Sequence, residues 1–350
     1  MCKNFCSALF VAFLVFISVL CFSFAPFVYG VHMSQAYAGQ KMVYLGGFPI
    51  GITLNTKGVI VIGVSSVTTN NGEVTPFKNA GIKEGDVLTH INKSEVNSAT
   101  DISSILNDIT YKGDSVTCTF LRNGSTFSKR VTPAKDSITG LYKLGLWIRD
   151  NAAGVGTMTY IDAETYKFAC LGHAISDIDT SIVMPVLNGN IYKCNVIGVQ
   201  KGVKGKAGEL KGLFLKNGSV LGNVTKNSEF GVYGQANKEM VETMHLTKVV
   251  LGNKSMVKVG KAQIYCTVDG TTPKAYDVEI IKAMNQNSPE KRSLVLKITD
   301  KTLLELTGGI VQGMSGSPIV QNNVLIGAVT HVFVNDPTKG FGLYADWMSF

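Results

Sequence analysis

Beyond residue 140 the chain is written in short β-type runs, each stopped by glycine or asparagine, and this punctuation limits the fold more than any other feature. The runs at 156–161, 181–186, 192–199, 258–268 and 278–281 are all of strand length, and no long segment shows the apolar spacing of an amphipathic helix. Many short strands satisfy their backbone polar groups by closing into a sandwich or barrel. Thirty-seven glycines against nine prolines supply the turns. The spacing therefore predicts a mainly β fold over residues 140–350, with no internal repeat.

Residues 43–135 carry a different pattern. Leu45-Gly46-Gly47-Phe48-Pro49 leads into an apolar run at 58–64, and Ala80-Gly81-Ile82-Lys83-Glu84-Gly85-Asp86 turns into the short strand Val87-Leu88. Ile102, Ile105, Leu106 and Ile109 then follow helical i, i+3, i+4, i+7 spacing. Two alternating strands close the segment, the first with Val116, Cys118 and Phe120 on one face. This order, and AGIKEGDVLTHIN above all, resembles a PDZ domain. The resemblance implies a groove between a strand edge and the helix that takes an extended peptide by β-augmentation. Gly46, Gly47 and Phe48 are expected in the loop that receives a terminal carboxylate; the alternative is a module that only packs against its neighbour.

Between Asn4 and Gln40 there is no Asp, Glu, Lys or Arg, and Lys3 precedes an apolar run from Phe5 to Val31. Residues 1–40 thus read as a membrane helix with the bulk of the chain outside, or as a signal removed at Ala36-Tyr37-Ala38. Either way the body is exported. The net charge of +8 rests on lysines such as Lys201, Lys204, Lys206 and Lys211, scattered among glycines without aromatic interleaving. That excludes a nucleic-acid platform and leaves a solvated or lipid-facing surface. Seven cysteines include no CxxC pair, so Cys118, Cys170, Cys194 and Cys266 are expected as buried thiols, with one disulfide possible after export. No HExxH-like spacing supports a metal site, and no cofactor is called for.

Two segments carry chemistry. Gly313-Met314-Ser315-Gly316-Ser317-Pro318 opens into apolar strands. A serine that attacks a carbonyl needs a turn that presents Oγ while N–H groups converge on the developing oxyanion, and a Gly-x-Ser-Gly turn does both. An ordinary glycine-serine hairpin has the same letters. Leu171-Gly172-His173-Ala174 offers a base well ahead of the serine. His331, on the strand after the serine, is the other histidine in a plausible setting; His32, His90 and His245 are not. A triad mechanism would place the oxyanion on the N–H groups of Gly313 and Ser315.

The run GGIVQGMSGSPIVQNNVLIGAVTHVFVNDPTKGFGLYADWM, with LGHAISD and IRDNAAGVGTMTY upstream, resembles the SpoIVB peptidase family. The resemblance implies a trypsin-like double β-barrel with His173 as base, Ser315 as nucleophile and Asp300 as orienting carboxylate. It further implies cleavage of a membrane-protein regulator between forespore and mother-cell membranes, signalling to a membrane-embedded protease complex that activates a late sporulation sigma factor; a PDZ groove that presents the chain's own N-terminal region would add self-cleavage near the anchor. Asp300 lies only fifteen residues before Ser315, so Asp177 and Asp269 stay open as alternatives, and Asp300 also reads as a helix N-cap. A silent PDZ adaptor and an HtrA-like quality-control protease are the competing functions, although the latter usually places PDZ after the protease.

Overall fold

The computed structural model describes residues 39–108, 113–214, 218 and 220–350. The expected membrane or signal segment and Ile109 lie outside the described residues. No helix among the described residues is long and apolar enough to cross a membrane.

Two closed ladders organise the chain from residue 42 onward. In the first, strands Pro49–Val64, Leu146–Asp162, Lys167–Cys170, Gly231–Ala236, Val220–Ser228 and Val186–Lys193 pair antiparallel in that order, and the last pairs back onto the first. In the second, Gly260–Cys266, Lys274–Ala283, Leu294–Ile298, Lys339–Tyr344, Val324–Val332 and Pro318–Gln321 close the same way. Closure removes the edges that a sheet of short strands would otherwise expose. Alternate side chains fill each interior: Ile50, Ile52, Leu54, Met158, Phe168 and Ile191 in the first barrel, Ile264, Val278, Ile280 and Leu296 in the second, all at most 2% exposed. Met42–Leu45 pairs with residues 160–162 of the first barrel and with Lys248–Leu251, which runs parallel to Val324-Leu325 of the second. It ties the two together.

The third core belongs to the segment between the barrel strands Pro49–Val64 and Leu146–Asp162 together with the far end of the first of them. Val59, Val61, Phe77, Leu88, Ile91, Leu106, Val116, Cys118, Phe120 and Val131 pack there. The helix Ala99–Leu106 starts on Ser98, whose Oγ accepts from Asp101 N at 3.0 Å. Asp86 of the AGIKEGD turn is 1% exposed and takes Arg122 in a two-pronged pair, Nε–Oδ1 2.5 Å and Nη2–Oδ2 2.7 Å. Its job is structural: it locks the turn to the strand Val116–Arg122. Cys118, Cys170, Cys194 and Cys266 are free and buried.

This arrangement overturns one expected site. Gly46, Gly47 and Phe48 belong to the first barrel, not to a peptide groove. Gly46 N donates to Thr159 O at 3.0 Å, Gly47 N to Met158 O at 2.7 Å, and Phe48 is 4% exposed in the barrel core. The amides of Gly46 and Gly47 are already engaged and the Phe48 side chain is buried, so this turn does not form a carboxylate-receiving loop. The groove beside the helix has another wall. Leu146 and Trp147 pair with Val64 and Gly63, and a cleft of about 380 Å³ lies between Leu144–Ile148 and the face of Ala99, Ile102 and Ser103. Ser65 N donates to Gly145 O at 2.9 Å. Leu146, one step on, therefore sits in a non-hydrogen-bonded pair, with its N–H and C=O directed away from Val64. Gly145 has φ +65°, and a Cβ there would meet Ser65 O at 2.5 Å, so only glycine makes this turn.

Candidate active site

The Ser315 turn is held from behind by two buried threonines on the strand Leu146–Asp162. Thr157 Oγ1 donates to Gly313 O at 2.7 Å, Thr157 N to Ser315 O at 3.1 Å, and Thr159 Oγ1 to Gly316 O at 2.8 Å. Three turn carbonyls, those of Gly313, Ser315 and Gly316, are thereby held against that strand. Met314 N bonds Val311 O and Gly316 N bonds Val329 O, both within the fold. The N–H groups of Gly313 and Ser315 find no acceptor among the described residues. Glycine is obligatory on both sides of the serine: Gly313 and Gly316 each have φ +94°, and a Cβ on Gly316 would lie 2.2 Å from Thr157 O.

His173 follows two left-handed residues at the end of Lys167–Cys170, Leu171 at φ +67° and Gly172 at φ +70°. For a bulky residue this costs on the order of 1–3 kcal/mol and persists only where packing enforces it. Packing does enforce it: Leu171 is 5% exposed, its backbone N stands 2.5 Å from where a Gly316 Cβ would be, and Gly172 faces Thr330. The histidine turn and the serine turn are thus interlocked. Asn227 steadies the far side, with Oδ1 accepting from Ile175 N at 2.9 Å and Nδ2 donating to Ile175 O and Met184 O at 2.7 and 3.0 Å. No local pattern in the sequence marks Asn227, because its partners lie 43 and 52 residues away.

His173 and Ser315 line one cleft of about 670 Å³, together with His331. The two imidazoles stand 5.1 Å apart between ring centres. His173 Nδ1 donates to Ala174 O at 2.8 Å, which leaves Nε2 with its lone pair. Burial pushes the His173 pKa below the ordinary value, only partly opposed by that carbonyl. Burial also pushes His331 down to about 4, with help from His173, Arg292 and Lys291. Both rings are neutral at pH 7. Ser315 Oγ donates to Thr330 O at 2.8 Å.

The structure does not bring a carboxylate to His173. Asp300 is the N-cap of the helix Lys301–Thr307: Oδ1 accepts from Leu303 N at 2.9 Å and Oδ2 from Asp277 N at 3.5 Å, and it does not line the cleft. Asp177 lies four residues past His173 but turns away, into Thr180 N and Oγ1 and an ion pair with Arg149 Nη1 at 2.8 Å. Asp269 is exposed on the strand connection after Gly260–Cys266. The position opposite Nδ1 is filled by the carbonyl of Ala174.

Comparison with known proteins agrees with these divisions. Residues 44–132 match the PDZ domain, although their first ten or so run through the first barrel. A zinc metalloprotease, RasP of Shouchella clausii, is 31% identical over 96 residues, or 27% of this chain; the chain spans only 22% of that relative's length. Residues 140–349, which hold the histidine turn, the serine turn and most of both barrels, match the SpoIVB peptidase S55 description throughout. The chain belongs to the SpoIVB peptidase S55 family.

Proposed function

We propose that the chain is an exported serine endopeptidase whose cleft performs acyl transfer. Family membership implies peptidase activity and, with the PDZ domain, protein or peptide substrates. The observation that carries the mechanism is the pairing of two unpartnered amides, Gly313 and Ser315, with a neutral imidazole in the same cleft as the serine. His173 Nε2 takes the Ser315 proton as Oγ leaves Thr330 O and attacks the carbonyl. The amides of Gly313 and Ser315 hold the oxyanion, each such donor being worth about two to three powers of ten in rate. His173 then protonates the leaving amine, and water releases the acyl-enzyme. Ala174 O fixes the imidazole tautomer, the task given to a carboxylate in the expected triad. No metal and no cofactor enters any step.

The peptide groove of the PDZ segment is the cleft between Leu146–Ile148 and Ala99–Leu106, with Lys143–Leu146 as its terminal loop in place of Gly46–Phe48. The finer role follows the family resemblance: tethering through residues 1–40, residence between forespore and mother-cell membranes, and cleavage of itself and of a regulator of a membrane-embedded protease complex in a sporulation sigma-factor pathway. The test is labelling of Ser315 by a fluorophosphonate, with Ser315→Ala as control. A silent adaptor is the second reading, favoured by one observation, the engagement of Ser315 Oγ with Thr330 O and not with His173. Absence of labelling in a folded protein decides for the adaptor.

A further inference from the structure

The walls of the catalytic cleft select its substrate, given the peptidase reading above. Its apolar lining includes Ile310, Val311, Val332 and Val334, together with Ala207. Ile310 and Val311 are each 2% exposed, so their contribution is set by the packed fold. No Asp, Glu, Lys or Arg lines the cleft, and its two histidines are held neutral by burial. A charged side chain placed there would lose its water and gain no counter-charge. An aliphatic one would lose only apolar surface to apolar surface.

The main chain of the substrate has its own partner. Residues 151–157 of the strand Leu146–Asp162 are paired on one side only, with Pro49–Asn55. On the other side the strand is unpaired over Ala152–Val155, which line the cleft, until Thr157 meets Ser315 and Leu171. An extended peptide added to that open edge runs straight to the nucleophile. Ala152, Ala153 and Gly154 carry little or no side chain to obstruct it.

We propose that this cleft accepts an extended peptide with an aliphatic side chain on the residue whose carbonyl Ser315 attacks. That side chain sits against Val311, four residues before the nucleophile, and Val332, two residues beyond the Thr330 carbonyl that holds the serine hydroxyl.

The experiment uses the full chain and tetrapeptide coumarin amides Ala-Ala-Ala-X, with X as Leu, Val, Lys or Asp, together with fluorophosphonate labelling of the same sample. The expected result is kcat/KM at least a hundredfold higher for Leu and Val than for Lys and Asp. Val334 is 47% exposed, so Val334→Asp is tolerated by the fold, and it is expected to raise the Lys substrate at least tenfold against Leu. Labelled Ser315 with equal turnover of charged and aliphatic substrates overturns the selectivity and leaves the peptidase reading standing. A folded protein that neither labels nor cleaves overturns both.

Discussion

Asp300→Asn separates two accounts of the same residue. If the Asp300 carboxylate oriented His173, replacing it by the amide would present the wrong hydrogen-bond partner and lower kcat by about four powers of ten, as in a serine-protease triad. As an N-cap the substitution is nearly silent, because Asn and Asp cap equally well through one side-chain oxygen. The Leu303 N–H contact at 2.9 Å survives, and only the 3.5 Å contact from Asp277 N is lost. Asp300→Ala removes the cap itself and costs about 1 kcal/mol. In a fold of this size that lowers Tm by only about 1–2 °C, and with a total stability of about 5–15 kcal/mol the protein stays folded at assay temperature. The assay is kcat/KM on the coumarin peptide beside a thermal melt. We expect Asp300→Asn within about threefold of the parent in kcat/KM, since no group in the cleft changes. A thousandfold loss with an unchanged melt would refute the placement of Ala174 O as the partner of His173.

Ser315→Ala is expected to abolish fluorophosphonate labelling and peptide cleavage while leaving the melt within a degree or two; persistent self-cleavage in that variant would assign the cutting to another residue. Thr157→Val removes a hydroxyl 2.7 Å from Gly313 O and leaves that carbonyl buried without a donor, at a cost of about 1–3 kcal/mol. kcat should fall more than KM rises, as the turn that aims the oxyanion amides loosens, whereas Thr157→Ser restores both. The acid limb of kcat/KM should fall below pH 6.5, because burial lowers the pKa of His173 and its neutral form is the active one; a limb at or above 6.5 contradicts this. The same depression has a stability consequence. Below 6.5 the unfolded chain takes up protons that folded His173 and His331 do not, so stability declines as pH falls from 6.5 toward 4, which denaturant midpoints across that range will show. Ile102→Lys should abolish binding of an apolar C-terminal peptide to the groove beside Ala99–Leu106, measured by fluorescence anisotropy, without altering cleavage of the short coumarin substrates.

The places where sequence reading and structure part company share one cause. Leu45-Gly46-Gly47-Phe48 and Leu144-Gly145-Leu146 are two apolar-glycine-apolar turns, each followed by a strand-forming run. Letters alone do not say which of them lies beside the helix. Hydrogen bonds from Gly46 and Gly47 to the strand around Met158 decide it, and those form between residues more than a hundred positions apart. Asp300 is a similar case: a carboxylate before Lys301-Thr302-Leu303 caps a helix by local geometry, and the local contact excludes the distant one.

What the amino-acid sequence determined by itself was whatever depends on near neighbours. Strand-length runs between glycines, the AGIKEGD turn, the apolar face of Ala99–Leu106 and the Gly-x-Ser-Gly turn each follow from contacts within a few residues, where propensity and φ preference act directly. The closure of two barrels, the growth of the PDZ segment out of one barrel hairpin, the Asn227 clamp and the carbonyl behind His173 were decided by tertiary structure alone. The barrel pairings and the Asn227 clamp join groups that no short window of the chain contains together; the Ala174 carbonyl is next to His173 in sequence, but its place at Nδ1 follows from where packing sets the ring and from no carboxylate being brought there.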